Sequence, residues 1–394
     1  MFRHFTSLAV AAAVVSAGGG EIPSADGLVA ARTRFAEQRF GIFLHWGLYS
    51  TYAQGEWLLE NAKLDERTYA RAMHGFYPSK FNADEWVRIV KDAGAKYLTL
   101  TARHHEGFSL WPTKADDGYN IANTPFRRDI VGELAAACRK EGLQFNLYYS
   151  LMDWHRPFLP PGFVKSIVRE RPVPNESYGA YKRFMLAQLT ELCSAYHPGM
   201  IWFDGEWSDV EGVDFDWGMD EIYDLVHSYG VLVANNRRAP ARPKEDIQAF
   251  ERDLPGESTY SKAVTVAQDR PLEQCDVIQH DIWGYRIGKT RYRTPKEVVA
   301  MICRAAAKDS NLLMNVGPDG SGQFPAKAVE ILSAVGKWMR ANGEAIYGTR
   351  GAGLLKNADG TMTAKTVKGD RAFSLAIRSD EFPVVVEHSV GVAE

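Results

Sequence analysis

Eight short runs of apolar, β-branched or aromatic residues recur along the chain, with amphipathic stretches between most of them. The runs are Arg39–Trp46, Tyr97–Arg103, Gln144–Ser150, Met200–Asp204, Val231–Asn235, Ile247–Glu251, Val277–Ile282 and Asn311–Val316. Each has the length of a strand. The intervening stretches read as helices over Asp84–Ala93, Asp129–Lys140, Tyr178–Tyr196, Asp220–Ser228, Pro295–Ala307 and Pro325–Asn342. Thr294-Pro295 is an N-cap followed by a proline at the first helical position, and Gly94 and Gly142 are glycine stops before strands. Strands alternating with helices imply parallel pairing. Eight of them predict an α/β fold of the (β/α)8 class, a TIM-like barrel. Little room is left for helices between the fifth, sixth and seventh runs, so the barrel is expected to be distorted. An open doubly wound sheet would carry a glycine-rich phosphate loop after its first strand, and His45-Trp46-Gly47 is not one.

Both ends of the chain depart from this pattern. Met1 to Ser7 holds Arg3 and no acid, Leu8 to Ala17 is uninterruptedly small and apolar, and Val15-Ser16-Ala17 precedes three glycines. That layout is expected of a signal peptide over residues 1–20, giving a secreted protein exported to the periplasm or beyond. No later run reaches the roughly 18 apolar residues of a membrane span. The barrel is assigned to residues 28–345. After Ile346, Thr361–Val367, Ala372–Arg378 and Pro383–His388 read as short strands, so residues 346–394 form a C-terminal β-rich segment, a short or truncated β-sandwich. Five prolines between Arg156 and Pro174 mark a loop expected to overhang the barrel mouth. A net charge of −3 with no basic run gives no footprint for nucleic acid. The four cysteines make no metal spacing and predict buried thiols with at most one bridge.

In such barrels chemistry gathers at the C-terminal strand ends. The runs end in His45-Trp46, Arg103-His104-His105-Glu106, Tyr148-Tyr149-Ser150, Trp202-Phe203-Asp204-Gly205-Glu206, Asn235-Asn236-Arg237-Arg238, Glu251 and Asp281-Ile282-Trp283. Seven polar ends suggest one ring of functional groups. Glycoside hydrolysis with retention requires a nucleophilic carboxylate and a carboxylic acid that doubles as base. Asp204 ends the apolar strand Met200-Ile201-Trp202-Phe203 and suits the nucleophile, with Gly205 leaving space for a ligand beside it. Glu251, beside Phe250, suits the acid/base; Glu206, Asp209, Glu257, Asp153 and Glu56 compete for that role. His45, His104 and His105 lack the usual HxH or HxxxH spacing of a metal site, so hydrogen bonding to sugar hydroxyls is the better account. Adjacent His104 and His105 can share a site only if the strand breaks there. Asn315 to Gly320 reads as a structural turn.

The segments Arg39–Gly47, Thr101–Phe108, Tyr148–Ser150, Trp202–Gly205 and Asn311–Pro318 resemble, in order, the strand motifs of the family 29 α-L-fucosidases. That resemblance implies a (β/α)8-like barrel with a C-terminal β-sandwich and retaining hydrolysis of terminal α-L-fucosides, without metal or other cofactor. It implies Asp204 as nucleophile and Glu251 as acid/base. His45, Glu56, Trp57, His104, His105 and Tyr149 resemble the fucose-binding set, with Trp202 lining the pocket and Arg237 as the active-site arginine. Phe43 and Trp283 fall where aromatics face the fucose methyl group. The partners implied are fucosylated glycans or glycoconjugates; the oligomeric state is left open. Arg238 departs from the family at a position where an aromatic is common, and Leu272-Glu273 replaces a Trp-Glu pair. Other readings are an α-L-galactosidase, a catalytically silent fucose-binding protein and a metal-dependent hydrolase built on the histidines.

Overall fold

Backbone alternation decides which residues reach the site. The computed structural model describes residues 25–115, 118–156, 178–207, 215–237, 239–259, 264–288 and 290–389. The expected leader and most of the proline-rich loop lie outside these residues, as do Asp209 and Arg238. Eight parallel strands close in sequential order: β1 (Phe40–Leu44), β2 (Tyr97–Arg103), β3 (Gln144–Ser150), β4 (Met200–Asp204), β5 (Leu232–Asn235), β6 (Ile247–Glu251), β7 (Leu272–Val277) and β8 (Ser310–Val316). β1 and β8 complete the ring, with Phe40 opposite Leu312 and Leu44 opposite Val316.

Successive side chains along a strand point to opposite faces. One set fills the interior: Phe43, Tyr97, Tyr148, Met200, Trp202, Leu232, Ala234, Ile247, Cys275 and Leu313 form one cluster. The other set, including Ile42, Leu44, Leu147, Tyr149, Ile201, Phe203 and Val233, joins a larger core beneath the helices.

The covering helices are α1 (Ala25–Gln38), α2 (Ala83–Asp92), α3 (Ile130–Glu141), α4 (Tyr178–Tyr196), α5 (Met219–Ser228), α6 (Pro295–Ala307) and α7 (Ala326–Asn342). Their starts are chemically fixed. Asn82 caps α2 by accepting from the Glu85 N–H at 3.0 Å, and Asp129 caps α3 by accepting from Gly132 at 2.9 Å. At α6, Thr294 and Glu297 accept from each other's backbone N–H, a capping box with Pro295 behind it. Helix α1 has no counterpart among the expected helices. It closes the barrel floor: Phe35 packs on Tyr97 with ring centroids 5.2 Å apart, and Asn311 donates to the Phe35 carbonyl at 2.8 Å.

The distortion falls where the spacing predicted it. β5 and β6 share only two register pairs, Ala234 with Ile247 and Asn235 with Gln248. Among the described residues no helix separates β5 from β6 or β6 from β7. The seventh strand needs correction. It runs over Leu272–Val277, not Val277–Ile282. Its polar residues hide it from a hydropathy pattern, and Glu273 is tolerated inside because Tyr97 and Trp202 donate to it at 2.7 and 3.0 Å.

A separate antiparallel sheet follows, in the order β12-β11-β10-β9, built from β9 (Arg350–Lys356), β10 (Met362–Lys368), β11 (Arg371–Ile377) and β12 (Val384–Ser389). It is one sheet whose Ala364, Phe373, Leu375 and Ile377 are buried, with β9 and β10 against α6. The reading of the sequence missed β9 because Gly351 and Gly353 lower its strand propensity. Gly351 is there for close approach: a Cβ would lie 2.4 Å from the Asp309 nitrogen and 2.6 Å from the Ala307 oxygen. All four cysteines are buried and free, so the one bridge allowed above is not formed. No described helix is long and apolar enough to cross a membrane.

Candidate active site

A cavity of about 370 Å³ opens at the C-terminal mouth of the barrel, a volume in the range of small-molecule sites. Phe43, His45, Glu56, Trp57, His104, His105, Trp202, Asp204, Glu251 and Trp283 all line it. Interior parity accounts for much of this set: Phe43 and His45 continue one inner column, Trp202 and Asp204 another, and Ile247 and Glu251 a third.

Asp204 is held by donors on both oxygens. Tyr148 donates to Oδ2 at 2.9 Å, while the Gly205 N–H and the Asn236 amide reach Oδ1 at 2.8 and 3.3 Å. His105 Nε2 lies 3.6 Å from Oδ2. Gly205 acts differently from the expected ligand space. Its N–H donates back to Asp204, its φ of 93° lies in the region that favours glycine, and a Cβ there would meet Met152 at 3.0 Å. Burial, reinforced by the Asp204 charge, pushes the Tyr148 phenol well above its ordinary value, so it stays a donor. Glu251 sits across the cavity, accepting from the same Asn236 amide at 2.9 Å.

The histidines are arranged to hydrogen-bond as neutral rings. His45 Nδ1 lies 2.7 Å from Asn315 Oδ1, and the Asn315 amide donates to the Trp283 carbonyl at 2.6 Å. Asn315 therefore accepts from a protonated His45 Nδ1, which makes Nε2 an acceptor. Burial drives His45 down to about 3 against the opposing Asn315 bond. Burial, with His105 and His45 alongside, also holds His104 well below the usual histidine value. β2 ends at Arg103 after a register shift, and this break lets His104 and His105 face one cavity. The unfolded chain takes up a proton near pH 6.5 whereas folded His45 resists until about 3. The stability this residue allows is therefore complete above pH 6.5 and is lost as pH falls toward 3. We expect its share to approach roughly 1 kcal/mol per pH unit. Denaturant unfolding at pH 7 and pH 5 checks this; a His45→Gln variant that declines as steeply as the parent refutes it.

Glu56 is anchored by the backbone N–H groups of Trp283 and Gly284 at 3.1 and 2.7 Å. Burial raises its carboxyl, and those backbone bonds oppose the rise. Trp283 therefore reaches the site from the loop after β7 rather than from the strand. That loop fits because residue 317 is glycine: a Cβ there would lie 2.5 Å from the Tyr285 nitrogen. The apolar side is continuous, with Phe43 edge-on to Trp202 at 5.3 Å and to Trp283 at 6.2 Å. Among the described residues no three His, Cys, Asp or Glu side chains are gathered for a metal ion.

A family model described as alpha-L-fucosidase matches residues 22–344. The chain belongs to the α-L-fucosidase family. It is a glycoside hydrolase on that ground, and its relatives agree. Rat tissue alpha-L-fucosidase is 29% identical over 376 residues, covering 89% of this chain and 77% of its own. Human plasma alpha-L-fucosidase is 32% identical over 344 residues, covering 80% and 69%. The solved structure of alpha-L-fucosidase isoenzyme 1 from Paenibacillus thiaminolyticus superposes with a TM-score of 0.78 at 32% identity, covering 90% and 85%. A family 29 enzyme from Bacteroides thetaiotaomicron, solved as a trapped covalent intermediate with 2-fluoro-fucosyl fluoride, scores 0.72 at 25% identity, covering 91% and 95%.

Against this fucosidase frame, two expected site residues are corrected. Tyr149 does not line the cavity. It lies on the outer face of β3, donates to Gln188 of α4 at 2.8 Å and stacks beneath the Arg103 guanidinium at 4.5 Å. Tyr148, one residue earlier, takes the inner position. Arg237 also turns outward, donating to the Pro240 carbonyl at 2.6 Å, with its Nε 3.3 Å from Glu206. Asn236 takes the inner position beside it. In both cases a one-residue change of parity reverses the face.

The rivals of Glu251 sort themselves by surroundings. Glu206 binds Asn235 and Arg242 outside the cavity, Asp153 pairs with Arg103 at 2.6 Å, and Glu257 meets Arg304 at 3.2 Å. Of the described rivals only Glu56 shares the cavity. Phe250 does not line it, so the aromatic neighbour expected to desolvate Glu251 faces elsewhere. The sequence placed Tyr148 and Asn236 among the polar strand ends but gave the site roles to their neighbours, and it offered no reading of Arg252, Cys275, Met152, Asn61 and Trp207 as lining residues. Once closure of the barrel fixes which face is inner, alternation places Tyr148, Asn236 and Cys275 on it; the loop residues carry no such signal. We expect Tyr148→Phe to lower fucoside turnover by roughly tenfold or more, the loss of one hydrogen bond to a charged group. Tyr149→Phe should leave turnover within about threefold and cost about 1 kcal/mol of stability. Steady-state kinetics and melting of both variants check the contrast, and equal kinetic effects would contradict it.

Proposed function

We propose that this α-L-fucosidase is exo-acting and retaining, releasing terminal α-L-fucosyl groups from glycans and glycoconjugates by double displacement. One observation carries the reading: a single Asn236 nitrogen lies 3.3 Å from Asp204 Oδ1 and 2.9 Å from Glu251 Oε2. These two oxygens are thus closer than both bonds laid end to end, so the two carboxyl groups are neighbours that can act on one anomeric centre, as a retaining pair must. The trapped covalent intermediate of the Bacteroides relative supports the same course.

In the first step an Asp204 oxygen attacks the anomeric carbon, the bond to the glycosidic oxygen breaks, and Glu251 gives its proton to that oxygen. In the second, water attacks the same carbon, its proton passes to Glu251, and Asp204 leaves as carboxylate. His45, His104 and Glu56 present acceptors to the sugar hydroxyls, and Phe43, Trp202 and Trp283 supply the apolar wall. A small pocket set in the barrel mouth suits a terminal residue rather than an internal one. Monitoring the first-formed anomer by proton NMR on an aryl α-L-fucoside tests the reading: α-L-fucose supports retention, and initial β-L-fucose rejects it.

The apolar wall also sets specificity. An α-L-galactoside adds a hydroxyl at C6, which Phe43 and Trp283 leave without a partner. We expect its kcat/KM to fall about 10–200-fold below that of the matching fucoside; equal values would remove these aromatics from recognition. We further propose that residues 1–20 direct export, so that fucosylated glycans are met outside the cytoplasm; expression with and without them, followed by fractionation, tests this.

A further inference from the structure

Asn236 follows the last residue of β5 and continues its inner column from Leu232 and Ala234. Its backbone N–H is fixed on the Phe203 carbonyl at 2.9 Å, so β4 holds it in place. The side chain is wedged between the ends of β4 and β6, and the residue is only 3% exposed. Both amide hydrogens are used, one on Asp204 and one on Glu251, while its own Oδ1 is buried without a hydrogen-bond partner. The reversed amide would set its oxygen against the Asp204 carboxylate, so that anion fixes the donor side.

We propose that Asn236 is a positioning residue that yokes the nucleophile to the acid/base and follows the negative charge as it moves between them. This rests on the roles given above to Asp204 and Glu251. Before reaction the charge is on Asp204 and the proton on Glu251. In the covalent intermediate Asp204 is an ester and Glu251 is the anion. One amide nitrogen donates to both groups, so the stronger, charge-assisted bond passes from one carboxylate to the other without any atom having to relocate. Asp204 Oδ1 takes the Gly205 and Asn236 donors, while Oδ2 takes Tyr148 with His105 beside it. Glu251 Oε2 takes the other amide hydrogen.

The test is a pH profile of kcat/KM for the full chain and its Asn236→Ala and Asn236→Asp variants, on one aryl α-L-fucoside. Removing a donor from an ionised carboxylate disfavours its charged form. Both limbs of the bell should therefore move to higher pH in the alanine variant. They should move further in the isosteric aspartate variant, which adds a like charge and keeps the site's volume if the alanine variant fails to fold. We expect kcat to fall about 10²–10³-fold, as for removal of one preorganised donor, with KM within about threefold. His105, Tyr148, Glu56, Arg252, Cys275 and Asp281 also face the pair or line its cavity. They are common to every variant, so the displacement from the parent reports on the yoke. Folded variants whose limbs superimpose on the parent would overturn the proposal even if turnover fell. Asp204→Ala, run alongside, separates the two claims: undiminished turnover there overturns the assignment of the nucleophile instead.

Discussion

Replacing Asp204 with alanine should abolish fucoside hydrolysis, by roughly 10⁴–10⁶-fold in kcat. Covalent catalysis has no substitute nearby. Glu56, a further cavity carboxylate, is tied to the Trp283 and Gly284 N–H groups. The fold should survive. Asp204 is the last residue of β4, and that strand is held by β3 and β5 through pairs such as Trp202 with Tyr148 and Trp202 with Ala234. The stereochemistry of rescue is diagnostic. Azide entering the emptied space attacks the face opposite the leaving group, so the product should be β-L-fucosyl azide. Residual turnover near that of the parent, with unchanged melting, would remove Asp204 from the chemistry.

Glu251→Ala should show a loss that depends on the leaving group. Sugar-linked fucosides need a proton on the departing oxygen and should slow by about 10²–10⁴-fold. An activated aryl fucoside needs little such help, so its first step persists while water lacks a base in the second. The covalent intermediate should then accumulate and give a burst of aryl alcohol. Azide needs no base, so it should restore turnover and yield α-L-fucosyl azide, the opposite anomer to that from Asp204→Ala. Equal losses on both substrates, without rescue, would exclude Glu251 as the acid/base and return attention to Glu56.

Much of the architecture was legible before any coordinates. Seven of the eight barrel strands carry the apolar signature of residues buried on both faces, as in the Met200–Phe203 segment, and helix caps such as Thr294 and Asp129 are local chemistry. β7 was illegible because its buried Glu273 is compatible with the interior only through donors from Tyr97 on β2 and Trp202 on β4. β9 was illegible because Gly351 answers to a neighbour, the Asp309 backbone, rather than to strand propensity.

The same division runs through the active site. The ordered strand-end motifs, and with them the family and the reaction class, were determined by the sequence itself, because strand ends, caps and apolar runs are properties of consecutive residues. Tertiary structure alone decided that Tyr148 and Asn236 face the cavity while Tyr149 and Arg237 face away. It also decided that one amide joins Asp204 to Glu251 across three strands. The physical reason is parity and closure. A strand offers two faces with equal local claims, and only the closing of the barrel fixes which of them meets the other strands' polar ends.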